Sequence, residues 1–202
     1  MTNSFLNRRA NLSSKVLDNS AIIIGSAKTK SRISDTDYPY RQDSNFFYLS
    51  GYEEPESLIL IRPGKENEEF IIFCRDRDPL REQWDGFRTG QEGAVEKFGA
   101  DAAYSINSID SLMPDLLEGI KNIYFSMSSP CGVNVKIPQW VENIRKNTRA
   151  GAEPPHNLLS LDLILHEMRL IKEDHELEIM KKAASITTEA HIRAMKAVKP
   201  GM

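Results

Sequence analysis

A series of short apolar runs, each closed by a turn residue, is the feature that most restricts how this chain can fold. Runs of four to eight apolar residues between turn signals are typical of buried strands. None of these runs approaches the roughly 18 apolar residues of a membrane-spanning helix. Together they predict the core of a mixed β-sheet. The runs predicted as strands are Ala21–Gly25, Phe46–Leu49, Leu58–Arg62, Phe70–Cys74 and Ile123–Phe125.

Segments with helical periodicity separate or flank these strands. In the clearest case, within Ile137–Arg145, four apolar residues stand at the spacing of one helix face. Strands that alternate with helices are typical of an α/β domain, and this is the fold class that the sequence predicts. The other predicted helices cover residues 3–18, Gln91–Phe98 and Ile109–Leu117.

A proline-containing stretch divides the chain into two parts. Asn147–Asn157 contains Pro154 and Pro155, which forbid a continuous helix there. We therefore expect a first domain over residues 1–157 and a second part over residues 158–202, with a long helix at Asp174–Val198. One face of that helix carries a seam of small and weakly polar residues, which needs contact with another element because it buries little by itself. The seam consists of Leu177, Met180, Ala184, Thr187, His191, Ala194 and Val198.

Charge and composition exclude several functional classes. The 26 Lys and Arg residues against 29 Asp and Glu residues give a formal net charge of −3, so no basic excess is available to neutralise nucleic-acid phosphates. The first residues lack the apolar core of a secretory signal. Cys74 and Cys131 stand far apart without metal-ligand spacing, which is typical of reduced thiols in a cytosolic protein. We expect a cytoplasmic protein that binds neither nucleic acid nor membranes.

The residues by themselves show no complete catalytic motif. His166 and Glu167 open like the HExxH zinc motif, but Leu170 stands where the second histidine is required. We therefore predict that His166 caps or packs rather than binds metal. No phosphate-binding glycine loop is present either, since Gly86 and Gly90 lack the spacing of a dinucleotide-binding turn.

Three aspartates, Asp35, Asp37 and Asp43, crowd the loop around Arg41. Asp37 and Asp43 are close to Arg41 in sequence, and we interpret Arg41 as a structural ion-pair anchor that holds this loop. Calcium binding is not predicted, because Pro39 and Phe46 stand where an EF-hand needs liganding side chains.

The same loop carries a resemblance to a known family. Residues 34–64 read SDTDYPYRQDSNFFYLSGYEEPESLILIRPG, and the order of these motifs resembles the N-terminal domain of aminopeptidase P, the Xaa-Pro aminopeptidases. Glu82–Gly90 resembles the Trp-x-Gly-x-Arg-x-Gly segment of that family, and His166–Lys172 resembles the approach to its catalytic domain. One departure is Glu173 and Asp174, where the family usually has Ser-Pro before the long helix; here Asp174 can act as the N-cap.

The resemblance implies the N-terminal α/β domain of a two-domain enzyme, followed by the first helix of a catalytic domain with the pita-bread fold. Members of this family remove the N-terminal residue from peptides that have proline in the second position. Their catalytic domain binds two divalent ions, usually Mn²⁺, through two Asp, one His and two Glu, and oxygen-rich ligands suit such ions. Those ligands would lie beyond Met202. We therefore expect this chain to be an inactive piece of a longer protein.

The resemblance also implies roles for two residues in homo-oligomers, dimers or tetramers, where the N-terminal domain lies near a neighbouring active site. Trp84 matches a position whose indole can line the neighbour's substrate pocket, and a flat apolar ring suits proline. Arg149 matches an arginine that can approach the substrate from the next subunit and pair with a carboxylate or carbonyl. Two alternatives stay open: Trp84 only packs its own loop, and Arg149 is a solvated linker charge.

Three other functions stay open from the sequence. Prolidase-like dipeptidases share the metal site of this family, and creatinase-type amidinohydrolases share its two-domain architecture without the metals. A non-catalytic peptide-binding or oligomerisation module would use the N-terminal domain alone. The Tyr38–Gln42 run and Glu82–Gly90 fit aminopeptidase P better than creatinase.

Overall fold

The computed structural model describes residues 2–129 and 131–202 and contains eight helices and eight strands in these ranges. The chain divides into two compact units, one that extends to Leu165 and one that runs from His166 to Met202. The helices are α1 Thr2–Ser13, α2 Ser44–Ser50, α3 Pro79–Asp85, α4 Gly90–Phe98, α5 Ile109–Leu117, α6 Val133–Arg145, α7 Asp162–Leu170 and α8 Asp174–Ala197. The strands are β1 Ser20–Gly25, β2 Ser31–Ile33, β3 Thr36–Asp37, β4 Leu58–Ile61, β5 Phe70–Cys74, β6 Ala102–Ser105, β7 Asn122–Phe125 and β8 Asn157–Ser160.

A six-stranded mixed sheet with the order β6-β5-β4-β1-β7-β8 forms the first unit's centre. Strand β4 is antiparallel to both of its neighbours, β1 and β5. The other pairs, β1 with β7, β5 with β6 and β7 with β8, are parallel. Five strands therefore end at the same edge of the sheet, here called the carboxyl edge, and β4 alone begins there. The mixed α/β fold predicted from the sequence is confirmed.

Burial on both faces explains why the central strands are continuous apolar runs. Every residue of β1, β4, β5 and β7 is buried, as expected for strands covered by other elements on both sides. Ala21 and Ile23 belong to the main core cluster, which also includes Ile137 and Trp140 of α6. Ile22, which points to the opposite face of the sheet, is buried as well.

One predicted strand is wrong: Phe46–Leu49 belongs to helix α2. The carboxylate of Asp43 caps this helix by accepting from the backbone N–H groups of Asn45 and Phe46, at 2.9 and 3.0 Å. Gly51 ends it in the left-handed region, with φ of 67°, and donates to the Phe47 carbonyl. A helix stabilised at both ends outweighs the preference of aromatic residues for strands, which depends strongly on context.

The stretch after α6 contributes to the first unit. The predicted linker contains a 3₁₀ turn, Thr148–Ala150, and its last residue, Asn157, begins β8, which is an outermost strand of the sheet. The first compact unit consequently extends to Leu165, past the expected boundary at residue 157.

The second unit consists mainly of α8, whose start differs from the prediction in one respect. The N-cap is Glu173, not Asp174, and it forms a capping box with Glu176. The seam residues along α8, such as Leu177 and Met180, are exposed. No helix of the described residues is both long enough and apolar enough to cross a membrane.

Substituting Trp140 with Phe tests the packing of α6 on the sheet. Trp140 is 1% exposed, and its indole Nε1 donates to Asp110 Oδ1 at 2.8 Å. Trp140→Phe removes this donor and leaves a void, so we expect the free energy of unfolding to fall by about 2 kcal/mol. Urea unfolding followed by far-UV circular dichroism measures the change. Val135→Ala, at an exposed position of the same helix, is the control and should change stability by less than about 0.5 kcal/mol. Equal stability of both variants would contradict the packing.

Candidate functional site

The structure places the residues of interest at two different edges of the sheet. Trp84 lies on α3, which follows the end of β5 and therefore stands at the carboxyl edge. Arg41 lies in the loop before α2, and its neighbour Tyr40 donates from its hydroxyl to the carbonyl of Ala27, two residues after the end of β1. Both loops therefore belong to the carboxyl edge.

Arg149 lies at the opposite edge. It is exposed in the 3₁₀ turn that precedes β8. Shortly after it, the Glu153 carbonyl accepts from the N–H of Gly119, which stands just before β7. One chain therefore does not bring Arg149 and Trp84 together.

Trp84 belongs to the connection between β5 and α4, residues 75–90, which is held at both ends and is here called the Trp84 segment. Asp78 begins α3 by accepting from the N–H groups of Leu80 and Arg81, at 3.2 and 3.1 Å, with Pro79 in the first turn. No residue of α3 is buried. This helix therefore forms because of its cap and its side-chain pairs, not because it packs on a core.

Three large apolar side chains of this segment point into solvent. Trp84 is 88% exposed, Leu80 is 78% exposed and Phe87 is 60% exposed. Trp84 is consequently not packed into its own loop. Exposed clusters of large apolar residues usually mark a surface that contacts a partner or ligand.

Ion pairs order the segment internally. The guanidinium of Arg77 donates to both carboxylate oxygens of Glu82, at 2.6 and 2.9 Å, and lies 4.3 Å from the ring centroid of Phe87. This contact lowers the pKa of Glu82 and raises that of Arg77, chiefly through their mutual hydrogen bonds. Bidentate geometry of this kind restricts orientation more than it adds stability at an exposed position.

Carboxylates also hold the base of the segment. Asp76 accepts from Gln91 Nε2 at 2.9 Å and from the hydroxyl of Ser105 at 2.7 Å. Glu54 accepts from the backbone N–H of Thr89 at 2.7 Å. The segment thus leaves and re-enters the fold at fixed points.

The role predicted for Arg41 needs correction. Arg41 is exposed and its Nη2 donates to the hydroxyl of Ser44 at 3.2 Å; in the part of the chain that the structure describes, it forms no ion pair with Asp37 or Asp43. The carboxylate of Asp43 is used instead as the cap of α2.

Gln42, which sequence reasoning did not single out, is the anchor. Its side-chain oxygen accepts from the N–H groups of Ala27 and Asp43, both at 2.8 Å. Its side-chain nitrogen donates to the carbonyls of Tyr52 and Glu54, at 3.2 and 3.0 Å. Gln42 is only 7% exposed, and all four hydrogen bonds available to an amide are made. The only signal in the sequence was its place within the Tyr-Pro-Tyr-Arg-Gln run.

A cleft of about 460 Å³ also opens at the carboxyl edge, lined by residues that include Ser26, Glu56, Cys131 and Lys136. Trp84 and Arg41 do not line it. The predicted site residues Trp84, Arg41 and Arg149 are all exposed at the surface of this chain.

The histidines and cysteines do not form a metal centre in the described ranges, where no group of three or more His, Cys, Asp or Glu residues is arranged to hold an ion. His166 is exposed rather than packed. Cys74 and Cys131 are free thiols. Burial raises the pKa of Cys74 to about 11, which keeps this thiol neutral.

Comparison with known proteins defines the family. Residues 5–124 match the aminopeptidase P N-terminal domain, and the chain belongs to this family. It is 35% identical over 199 residues to the Xaa-Pro aminopeptidase of Escherichia coli, and 34% identical over 196 residues to that of Haemophilus influenzae. The alignments cover 98% and 97% of this chain but 45% and 43% of the relatives.

A solved structure shows the same fold over the whole chain. Aminopeptidase PepP of Pseudomonas aeruginosa superposes with a TM-score of 0.97 at 39% sequence identity, and the match covers all of this chain and 46% of that one. The chain therefore spans somewhat less than half the length of the relatives that it matches.

Exchanging neighbouring residues tests which side chain anchors the loop before α2. Gln42→Ala removes the acceptor of two partly buried N–H groups and the donor to the carbonyls of Tyr52 and Glu54, of which the Glu54 carbonyl keeps the Ser57 hydroxyl, so we expect a loss of about 3 kcal/mol in the free energy of unfolding. Arg41→Ala, the matched control, should cost less than about 0.5 kcal/mol. Urea unfolding of both variants measures the difference. The reverse ranking would restore Arg41 as the anchor.

Proposed function

We propose that this chain is the N-terminal part of a manganese-dependent Xaa-Pro aminopeptidase, which hydrolyses the N-terminal residue from peptides with proline second. The observation that carries the proposal is the 35% identity to a protein of that name across 98% of this chain. Because the chain spans 45% of that relative, the reaction itself is assigned to the longer protein.

The residues of this chain do not fit the two manganese ions that the family implies. Such a pair requires several carboxylates and a histidine around one cavity, and residues 2–129 and 131–202 contain no such cluster. No step of the hydrolysis is therefore assigned to these residues. The proposed contribution of this part of the enzyme is to bind neighbouring subunits and to shape the substrate pocket.

The Trp84 segment is the surface best suited to that contribution. Its exposed indole offers a flat apolar surface, and Leu80 and Phe87 of the same segment are exposed as well; a flat apolar ring suits the ring of a proline residue. In a homodimer or homotetramer, this surface would complete the substrate pocket of a neighbouring subunit. The exposure of Trp84 supports this role over packing within its own loop.

Arg149 would contact the substrate from another subunit. The strands of the sheet are four to six residues long, which separates its two edges by about 13–20 Å. A short peptide that meets Trp84 at one edge does not reach Arg149 of the same chain. If both residues serve one active site, they come from different subunits, and the guanidinium of Arg149 would pair with a carboxylate or carbonyl of the peptide.

Assaying the 202-residue chain itself tests the division of labour. We expect no turnover of an Xaa-Pro peptide with added Mn²⁺, because the residues that the structure describes offer no cluster of metal ligands. Liquid chromatography of the released amino acid measures the reaction, with the full-length Escherichia coli relative as the positive control. Clear activity of the isolated chain would contradict the proposal.

Removing the indole tests the pocket role. In the longer protein, Trp84→Ala should lower kcat/KM for peptides of three or more residues by about tenfold, the scale expected for loss of one aromatic contact. Val135→Ala, which changes an exposed apolar residue on α6, is the matched control and should leave kcat/KM unchanged. An unaltered kcat/KM in Trp84→Ala would remove Trp84 from the pocket.

A further inference from the structure

We propose that Glu54 is a positioning residue that holds the Trp84 segment in place. This inference rests on the proposed function, which is what makes the position of the Trp84 segment important. The contacts of Glu54 themselves do not depend on that function. Glu54 lies before β4, more than 20 residues away in sequence from either end of the segment that it contacts.

One carboxylate bridges both ends of the segment. Glu54 Oε1 accepts from the backbone N–H of Thr89 at 2.7 Å, immediately before α4. Glu54 Oε2 accepts from Arg75 Nη2 at 3.4 Å, immediately after β5. The side chains of Glu54 and Arg75 are only 18% and 16% exposed, so water competes less for these contacts than it does at the surface.

Glu54 is itself fixed from the core side. Its carbonyl accepts from Gln42 Nε2, and the same amide of Gln42 accepts from the N–H of Ala27 after β1. The carboxylate therefore extends from a backbone that cannot shift without breaking the hydrogen bonds of Gln42. This arrangement connects the rigid end of the sheet to the exposed indole.

The Glu54 carboxylate also neutralises the largely buried charge of Arg75. Within residues 2–129 and 131–202, Glu54 is the carboxylate that pairs with Arg75, and the Nε atom of Arg75 is buried without a hydrogen-bond partner. A largely buried guanidinium that loses its anion is costly. Removing the carboxylate should therefore displace Arg75 as well as release Thr89.

The Trp84 segment needs such contacts because it is not held in place by burial. No residue of α3 is buried, so packing on a core does not set the orientation of Trp84. The pairing of Arg77 with Glu82 stiffens the segment internally, and Glu54 ties the stiffened segment to the sheet. Preorganising an exposed aromatic side chain lowers the entropy lost when it meets its partner.

Native-state proteolysis of this chain tests the positioning directly. In Glu54→Ala, we expect trypsin to cleave after Arg81 and Arg88 about tenfold faster, because cleavage of folded protein follows local opening. Glu54→Gln should show a smaller increase, since its amide oxygen still accepts from Thr89. Glu53→Ala, which alters the exposed neighbouring carboxylate, is the matched control and should cleave at the original rate.

Cleavage after Lys146, far along the chain on the other side of α6, separates local from global opening. Unchanged cleavage there together with faster cleavage in the segment supports the inference. Equal acceleration at all sites, or no acceleration in Glu54→Ala, overturns it.

Kinetics of the longer protein then connect the position to the reaction. Glu54→Ala should lower kcat/KM for peptides of three or more residues while Trp84 is present and have little further effect in Trp84→Ala, because the two changes remove the same contact. A full additional loss in the Trp84→Ala background would overturn the link between the two residues. If Trp84→Ala alone has no effect, the pocket role of Trp84 fails, whereas the proteolysis still decides whether Glu54 holds the segment.

Discussion

The buried amide of Gln42 is the interaction on which the carboxyl edge of the sheet depends. It joins the end of β1 to the start of α2 and to the approach to β4, through hydrogen bonds to Ala27, Asp43, Tyr52 and Glu54. A charged side chain in the same place would need a buried counter-ion, while an apolar one would leave backbone groups unpaired. A neutral residue with two donors and two acceptors meets both demands. The loops that carry the exposed indole are built on this frame.

The exposed Trp84 segment shows how a surface can be ordered without a core. Its helix is started by Asp78, stiffened by the pair of Arg77 and Glu82, and tied at its base by Asp76 and Glu54. Each contact is modest in energy at such a position, but together they restrict where the indole lies. This division of tasks leaves the apolar surface free for a partner.

Much of the fold could be predicted from the sequence, because buried strands leave continuous apolar runs such as Phe70–Cys74, which is strand β5 as expected. The strand predicted at Phe46–Leu49 was wrong because its aromatic residues favour a strand, whereas the caps of α2, Asp43 and Gly51, determine a helix. At the site, a charge pattern drew attention to Arg41, whose contact in the structure is the hydroxyl of Ser44. The burial of the neighbouring Gln42 amide is not visible in the sequence. The exposure of Trp84 likewise depends on a tertiary arrangement that spacing alone does not specify.

The single reversed strand of the sheet has a consequence for how the edge is assembled. In a fully parallel sheet, residues that precede a strand and residues that follow one lie at opposite edges. Because β4 runs against β1 and β5, the chain entering β4 arrives among the ends of its neighbours. This reversal brings Glu54 to the same edge as Arg75 and Thr89, with which its carboxylate forms hydrogen bonds. The polarity of one central strand thus decides which parts of the sequence become neighbours at the exposed rim.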